Sequence, residues 1–504
     1  MKTFVFASCA LLAAAALAYP GVSDVAAMPK PGDTVKIKYT LSGEPAVITI
    51  GVYDRTTGAK IDESCYNDIE GAVNRLVKPG SCSIVWKKGA AWSARGIADA
   101  DVDVRVRAWA TNCPPDYAVI SLTNAAETVK YYTSTNAFPP SVPFGSVAYK
   151  TTHLVLRKIP AANVEFRMGS PDQEFARAPV TCSSGSDPRS YAENRHWVIL
   201  SEDFYLGVYP VTHAQQVKVC GSYQNGHWGT DDAGNLFKDI REETWPVDRL
   251  QYCTVRSYMH EDGCKGPGAQ DGYVDYQYWP RNGFTLNTNN TPKCSCTSYP
   301  GKMSPYLNSW RSKTGFLFDL PTQAQWEFAC RAGTQGPGFW KRGVADYSRM
   351  MITNTAGDVG YDFATELDQY AWTAHNSTNE TVKMPVPHTV GLLKPNAFGI
   401  YDMLGNVAEF CRDLCYGAVA ASTDPEIDPV GPNTHTDGVF LRKDYISARG
   451  GCYATDPSHV RPAFYFGMSP ANAVQEVPGM VRPLPTGSGW GMGYRLWAPA
   501  TAVR

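Results

Sequence analysis

From residue 33 to about residue 133 apolar and polar positions alternate with a period of two. Val35, Ile37, Tyr39 and Leu41 are separated by polar residues, as are Val102, Val104 and Val106 in Asp101-Val-Asp-Val-Arg-Val-Arg107. Side chains on a strand point to opposite faces in turn, so this alternation predicts strands with one buried face. Residues 47–53, 83–86, 117–122 and 129–132 read as further strands, with turn signals at Thr57-Gly58 and Pro79-Gly80. Short strands at this spacing predict an all-β immunoglobulin-like sandwich of roughly seven strands over residues 19–135. It holds no cluster of catalytic residue types, which suits an adhesion or spacer module. Pro139-Pro140-Ser-Val-Pro143 predicts a stiff linker over residues 136–150.

Beyond residue 150 the pattern changes. Thr212 and Thr322 stand where helix N-caps belong, and Thr322 with Gln325 has the spacing of a capping box. On the helix that follows, Trp326 and Cys330 lie four apart and share a face. Pro210 and Pro321 each end a strand just before the helix start, and a short helical pattern follows Pro246-Val-Asp248.

The first residues read as an export leader. Lys2 precedes an apolar run from Phe4 to Leu17 that ends in Ala16-Leu-Ala18, the small-x-small pattern of a signal-peptidase site. The run is shorter than the roughly 20 residues a spanning helix needs, and no later segment is apolar enough to cross a bilayer. Residues 1–18 are therefore expected to be removed, and the mature chain to be secreted, periplasmic or at the cell surface. The leader and the overall style suit a bacterium. Asn289, Asn376 and Asn379 match the N-glycosylation pattern, which means little in such a host.

Export makes the cysteines candidates for disulfides. Of 14, Cys9 leaves with the leader, and an odd number stays behind. Cys65 with Cys82, and two of Cys253, Cys264, Cys294 and Cys296, are the expected bridges. Cys294-Ser-Cys296 and Cys411-x-x-x-Cys415 lack the paired spacing of structural zinc sites. None of the nine histidines forms HExxH or a comparable ligand pair. A formal net charge of -2 gives no electrostatic case for nucleic acid or an anionic membrane. Gly (44), Pro (36) and Tyr (28) are all abundant, which predicts a loop-rich fold packed by rings rather than a bundle of long helices.

Several segments then follow in a specific order. They are Leu154-Val-Leu-Arg-Lys-Ile-Pro160, Phe166-Arg-Met-Gly-Ser-Pro171, Phe204-Tyr-Leu-Gly-Val-Tyr-Pro-Val-Thr212 and Pro246-Val-Asp248. Next come Leu320-Pro-Thr-Gln-Ala-Gln-Trp-Glu-Phe-Ala-Cys-Arg-Ala-Gly333 and Pro395-Asn-Ala-Phe-Gly-Ile-Tyr-Asp-Met-Leu-Gly-Asn-Val-Ala-Glu409. Arg449-Gly-Gly451 and Gly493-Tyr-Arg-Leu496 close the series. In this order they resemble the formylglycine-generating enzyme, or sulfatase-modifying factor, family over residues 151–504. The resemblance implies an α+β, C-type-lectin-like fold with long loops. It also implies a calcium site through the side chains of Asp402 and Glu409 and the carbonyls of Gly405 and Val407. The alternative reading of the same residues is a turn held by Asp402 and Asn406 with no ion. Ala408 stands where the family usually has Trp.

The family oxidises a substrate cysteine with molecular oxygen, using two thiols that bind copper(I), a soft ion that prefers thiolates. The positions that match those thiols are Thr455 and Val460, so copper is not expected here. Cys452, Thr455, Asp456, His459 and Arg461 remain as candidates for a polar pocket, although a surface loop of satisfied polar residues fits them equally. The first reading is an exported member of the family that binds a peptide, glycan or partner protein without the family's chemistry. The alternatives are an oxygen-dependent oxidative maturase of exported proteins with a different metal arrangement, and a structural component of a cell-surface assembly.

Overall fold

The computed structural model describes residues 19–123, 129–171, 174, 193–221, 242–250, 252–256, 306–336, 338, 363–380, 384–414, 424–429, 446–468 and 491–503. The leader and three of the four cysteines grouped for a bridge lie outside these residues, as does the side chain of the fourth, Cys253. The chain is mostly β with few short helices. It divides into two compact units, residues 1–115 with 136–141, and residues 116–135 with 142–504.

Among the described residues the first unit has seven strands in two sheets. β1 (Gly21–Lys30), β2 (Thr34–Ser42), β6 (Gly80–Lys87) and β4 (Ile69–Gly71) lie in the order β1-β2-β6-β4. β5 (Leu76–Val77), β3 (Ala46–Asp54) and β7 (Val102–Ala110) form the other sheet in the order β5-β3-β7. Val35, Ile37, Tyr39 and Leu41 of β2 share one core with Ile48, Ile50 and Val52 of β3, as the alternation predicts. Trp86 fills the centre, edge-on to Trp92 of the one-turn helix α1 (Ala90–Ser93) at 4.6 Å between centroids. β1 went unpredicted because it is an edge strand whose side chains are largely exposed and carry no apolar alternation.

Three expectations change here. The strands at β8 (Tyr117–Ser121) and β9 (Val129–Tyr132) exist, but they belong to the second unit, so the first domain ends near residue 115 and not 135. β8 pairs with β10 (His153–Ile159) from Ser121 opposite His153 to Tyr117 opposite Arg157, a partnership that alternation alone does not encode. The stiff linker expected over 136–150 is not a separate segment, since 136–141 belong with the first unit and 142–150 with the second. Phe138 and Tyr149 are buried, and the Tyr149 hydroxyl donates to the Val142 carbonyl at 2.6 Å. The Cys65–Cys82 bridge is absent, since both are free thiols. Cys82 sits opposite Tyr39 in the ladder, while the Cys65 sulfur faces the guanidinium of Arg95 at 3.6 Å.

The second unit is built on short sheets. β13 (Phe204–Gly207) and β21 (Trp497–Pro499) join β10, β8 and β9 in the order β21-β13-β10-β8-β9. β11 (Val164–Met168) and β12 (His196–Leu200) pair antiparallel, and β17 (Glu426–Ile427) joins β12 in parallel. β14 (Thr378–Asn379) and β15 (Met384–Pro385) make a small hairpin. β19 (Tyr465–Met468), β18 (Ile446–Arg449), β16 (Ala408–Leu414) and β20 (Met492–Gly493) form the fourth sheet, in that order.

Among the described residues its helices are α2 (Ala148–Thr151), α3 (His213–Cys220), α4 (Tyr252–Val255), α5 (Tyr306–Thr314), α6 (Gln323–Arg331) and α7 (Phe363–Leu367). Both predicted N-caps form, and both are complete capping boxes: Thr212 with Gln215 and Thr322 with Gln325. α6 is buried almost throughout, and Trp326, Phe328 and Cys330 enter the core with Ile159, Leu206, Met403 and Val460. Among the described residues no helix is long and apolar enough to cross a membrane.

Candidate functional site

The loop that carries the candidate residues starts where β18 ends. Gly450 and Gly451 both have positive φ, 88° and 65°, which a side chain rarely tolerates. A Cβ on Gly451 would lie 2.9 Å from Val460 Cγ2 and 3.3 Å from Thr455 Cγ2. Thr455 and Val460 therefore stand beside the same glycine, and both are fully buried. The chain brings together the two positions that match the family's thiols but supplies methyl groups and one hydroxyl there. That donor set does not fit copper(I), which binds through thiolates.

The Thr455 hydroxyl is itself occupied. It accepts from the Cys452 backbone N–H at 2.9 Å and donates to the Cys452 sulfur at 3.3 Å. Cys452 is fully buried, pressed so closely against Gly491 that a Cβ there would lie 2.5 Å from the sulfur. Burial pushes its thiol up to about 11, so near neutral pH it is a protonated core thiol rather than a ligand or nucleophile.

The rest of the loop is tied down from within. Asp456 caps a single 3-10 turn, Pro457–His459, accepting from the Ser458 N–H at 2.9 Å and its hydroxyl at 2.5 Å. His459 lies edge-on to Phe464, and burial followed by the nearby Arg461 charge lowers its pKa. Arg461 is wholly buried. It pairs with Glu174 and with both oxygens of Glu193 at 2.8 Å, and donates through Nε to the Ser458 carbonyl at 2.8 Å. Cys452, Thr455 and Arg461 thus face inward and are paired, while Asp456 and His459 serve the turn. The five do not assemble the polar pocket: Cys452, Thr455 and Arg461 are bonded beneath the loop, and Asp456 and His459 bond to Ser458 within it.

The turn expected to hold calcium is also closed by protein groups. Asp402, Gly405 and Asn406 take positive φ of 53°, 69° and 55°. Asp402 accepts from the Gly391 N–H at 2.6 Å and from Asn406 Nδ2 at 3.4 Å. Asn406 in turn exchanges hydrogen bonds with the backbone of His388, both at 3.1 Å. Glu409 lies elsewhere in the hydrogen-bond network. Its carboxylate receives Nε and Nη2 of Arg495 and the Trp326 indole N–H at 2.7 Å. Both carboxylates are thus taken up by protein donors, Asp402 by Gly391 and Asn406 and Glu409 by Arg495 and Trp326, and the two do not converge with each other on one ligand set. The hydrogen-bonded turn is the arrangement present.

Sequence reasoning missed the buried charges that hold this region. Glu327 of α6 pairs with Arg331 one turn on and with Arg449 of the Arg-Gly-Gly segment, each at 2.8 Å, and accepts from the Gly169 N–H. The Glu327–Arg331 spacing of four was visible in the chain, but exposed helix pairs share it, so it did not announce burial.

Residues 158–478 match the sulfatase-modifying factor enzyme 1-like domain family. The chaperone protein LppX of Paenibacillus barcinonensis is 27% identical over 215 residues, covering 42% of this chain and 61% of that protein. The formylglycine-generating enzyme of Thermomonospora curvata is 31% identical over 136 residues, 26% of this chain and 40% of the enzyme. The mouse formylglycine-generating enzyme is 28% identical over 135 residues, 27% of this chain and 32% of the enzyme. The chain thus matches less than two thirds of each of these relatives. Among solved structures, PvdO from Pseudomonas aeruginosa aligns over 68% of this chain and 94% of its own, at 17% identity and a TM-score of 0.39. The match over 158–478 takes in the Arg-Gly-Gly loop, the buried thiol positions and the Glu409 turn, and the chain belongs to the sulfatase-modifying factor enzyme 1-like domain family.

Proposed function

We propose that this protein is an exported binding member of the family that does not convert cysteine to formylglycine. The observation that carries this reading is the pairing of Thr455 and Val460 across Gly451, where two buried side chains offer no thiolate. Cys452 does not substitute for them, because its sulfur is buried against Gly491 and hydrogen-bonded by Thr455. Its partner is an exported peptide, glycan or protein, and the sandwich, read as an immunoglobulin-like module, is the docking or spacer part. The export leader supports this setting, and the likeness to a protein named as a chaperone supports a binding role.

The test uses the mature chain loaded with copper(I) in aerated buffer and a peptide containing Cys-x-Pro-x-Arg, followed by mass spectrometry. The expected result is an unchanged peptide. An aldehyde in place of the cysteine would overturn the reading and favour the oxidative maturase.

A further inference from the structure

The outer face of the β1-β2-β6-β4 sheet gathers positive charge. Val35, Ile37, Tyr39 and Leu41 enter the core, so Thr34, Lys36, Lys38 and Thr40 of β2 face outward. The ladders extend that face. Lys30 of β1 and Lys87 of β6 flank Thr34, Met28 and Val85 flank Lys36, and Ala26 and Ser83 flank Lys38. As backbone positions, Lys36 and Lys38 stand about 7 Å apart along β2, and Lys30 and Lys87 about 10 Å apart across it.

The ladders place one carboxylate among these four lysines. Glu70 of β4 lies opposite Val85 and pairs with Lys87 at 2.6 Å. Lys30, Lys36 and Lys38 carry no ion pair among the described residues; Lys30 and Lys38 are exposed and Lys36 is half-exposed. Asp24, Asp33 and Asp68 stand at the rim, at the β1 bulge, in the β1–β2 turn and just before β4. The chain's net charge of -2 conceals this segregation.

Ordinary reasons for lysine in a sheet do not account for it. Lysine is a poor strand former, and like charges side by side on one face repel. Edge strands favour it, because it discourages pairing with a second chain. That explains Lys30 on the edge strand β1. Lys36, Lys38 and Lys87 lie on β2 and β6, the two central strands of the sheet. Positive charge collected at the centre, against the sheet's own preference, complements a negatively charged partner.

The face also selects among anions. It is a sheet surface and not a cleft, so affinity must come from many charges along an extended partner. Its ladders place no aromatic ring on which bases could stack, and Met28 and Val85 are half-buried, too little to enter a lipid surface. Between the ammonium groups stand the hydroxyls of Thr34, Thr40 and Ser83, which both donate and accept. Carboxylates separated by hydroxyl-bearing sugar rings match that order.

We propose that this face of the first unit binds an acidic polysaccharide, with uronic acid carboxylates on Lys30, Lys36, Lys38 and Lys87 and ring hydroxyls on the threonines and serine between them. The assignment rests on the reading of this unit as the docking part and names its ligand class. Its test is independent of aldehyde formation, so the two can fail separately.

The mature chain is titrated calorimetrically with oligogalacturonate, and in parallel with neutral dextran, poly-L-glutamate and phosphatidylglycerol vesicles. Oligogalacturonate should bind in about 20 mM sodium chloride and bind about tenfold more weakly in about 200 mM, where screening shortens the reach of each charge. Lys36→Gln with Lys38→Gln should weaken it about tenfold without lowering the melting temperature, since a like-charge pair is removed. Arg105→Gln with Arg107→Gln is the control. These two belong to β7 of the other sheet, over the rings of Tyr53 and Trp109, and their loss should leave binding unchanged. No binding at low salt would overturn the proposal, as would full binding by the lysine variant or equal weakening by both variants. Dextran, poly-L-glutamate or vesicles bound as tightly as oligogalacturonate would overturn it too.

Discussion

Arg495 meets Glu409 through two nitrogens, Nη2 at 2.7 Å and Nε at 3.0 Å, and both side chains are sealed from solvent. Arg495 also donates through Nη1 to the Gly207 carbonyl and through Nη2 to the carbonyls of Tyr401 and Asp402. One guanidinium therefore joins β13, the Asp402 turn and β16. Removing one member of a buried pair strands the other's charge, which costs about 3–5 kcal/mol. Arg495→Met should lower unfolding free energy by that amount in urea denaturation. Arg495→Met with Glu409→Leu should lose clearly less than the sum of the two single changes, because neither charge is then left alone. Additive losses would show that the pair is not the source of the effect.

Asp402 gives the protein an unusual pH dependence. Burial pushes its carboxyl from the ordinary 3.8 up to about 6. Below about pH 4 both folded and unfolded chains hold the proton and this group contributes nothing. Between about 4 and 6 the folded chain keeps a proton the unfolded chain has lost, so its contribution to stability falls as pH rises. Above 6 the full penalty is present, on the order of 3 kcal/mol. Asp402→Asn should therefore compare better with the parent at pH 8 than at pH 4 in thermal melts. A difference between the two proteins that stays constant across this range would contradict the shift.

The two capping boxes are alike in sequence and differ in burial. Thr322 accepts from the Gln325 N–H at 3.2 Å, and Thr322→Ala should cost about 1 kcal/mol. Thr212 accepts from the Gln215 N–H at 3.3 Å and also donates to the Lys150 carbonyl at 2.6 Å. Thr212→Ala should cost more than Thr322→Ala, by about 1–3 kcal/mol, since it leaves that buried carbonyl short of a donor. Equal losses in chemical denaturation would mean that the hydrogen bond to Lys150 carries no stability.

These contrasts show which parts of the molecule were legible in the chain. Local chemistry was: Thr322 and Gln325 sit at capping-box spacing, and Val35 to Leu41 alternate into a core as read. Strand partners were not. Tyr117–Ser121 reads as a strand by its apolar run, but only its ladder with β10 assigns it to the second unit. The candidate site was half legible. Thr455 and Val460, read as the positions that match two thiols, stand beside one glycine. The fate of Glu409 was hidden, because its partner Arg495 lies 86 residues away in sequence and only folding brings the guanidinium to the turn.

The placement of Thr455 and Val460 leads to the last prediction. Both side chains approach Gly451 within about the width of one methyl contact, at 3.3 Å and 2.9 Å from its Cβ position. If the backbone there retains the geometry of a two-thiol site, restoring the sulfurs should restore metal binding without restoring the rest of the chemistry. Thr455→Cys combined with Val460→Cys should take up one copper(I) per chain under reducing, anaerobic conditions, measured by competition with a colorimetric copper(I) chelator. Each single variant and the parent should take up none, because copper(I) needs a pair of thiolates and Cys452 is held protonated by burial. Uptake by Thr455→Cys alone would bring Cys452 in as the second ligand, at the 3.3 Å separation that Thr455 Oγ1 already keeps from its sulfur. An inert, folded double variant would mean that the loop has moved away from a metal-binding geometry along with the loss of its thiols.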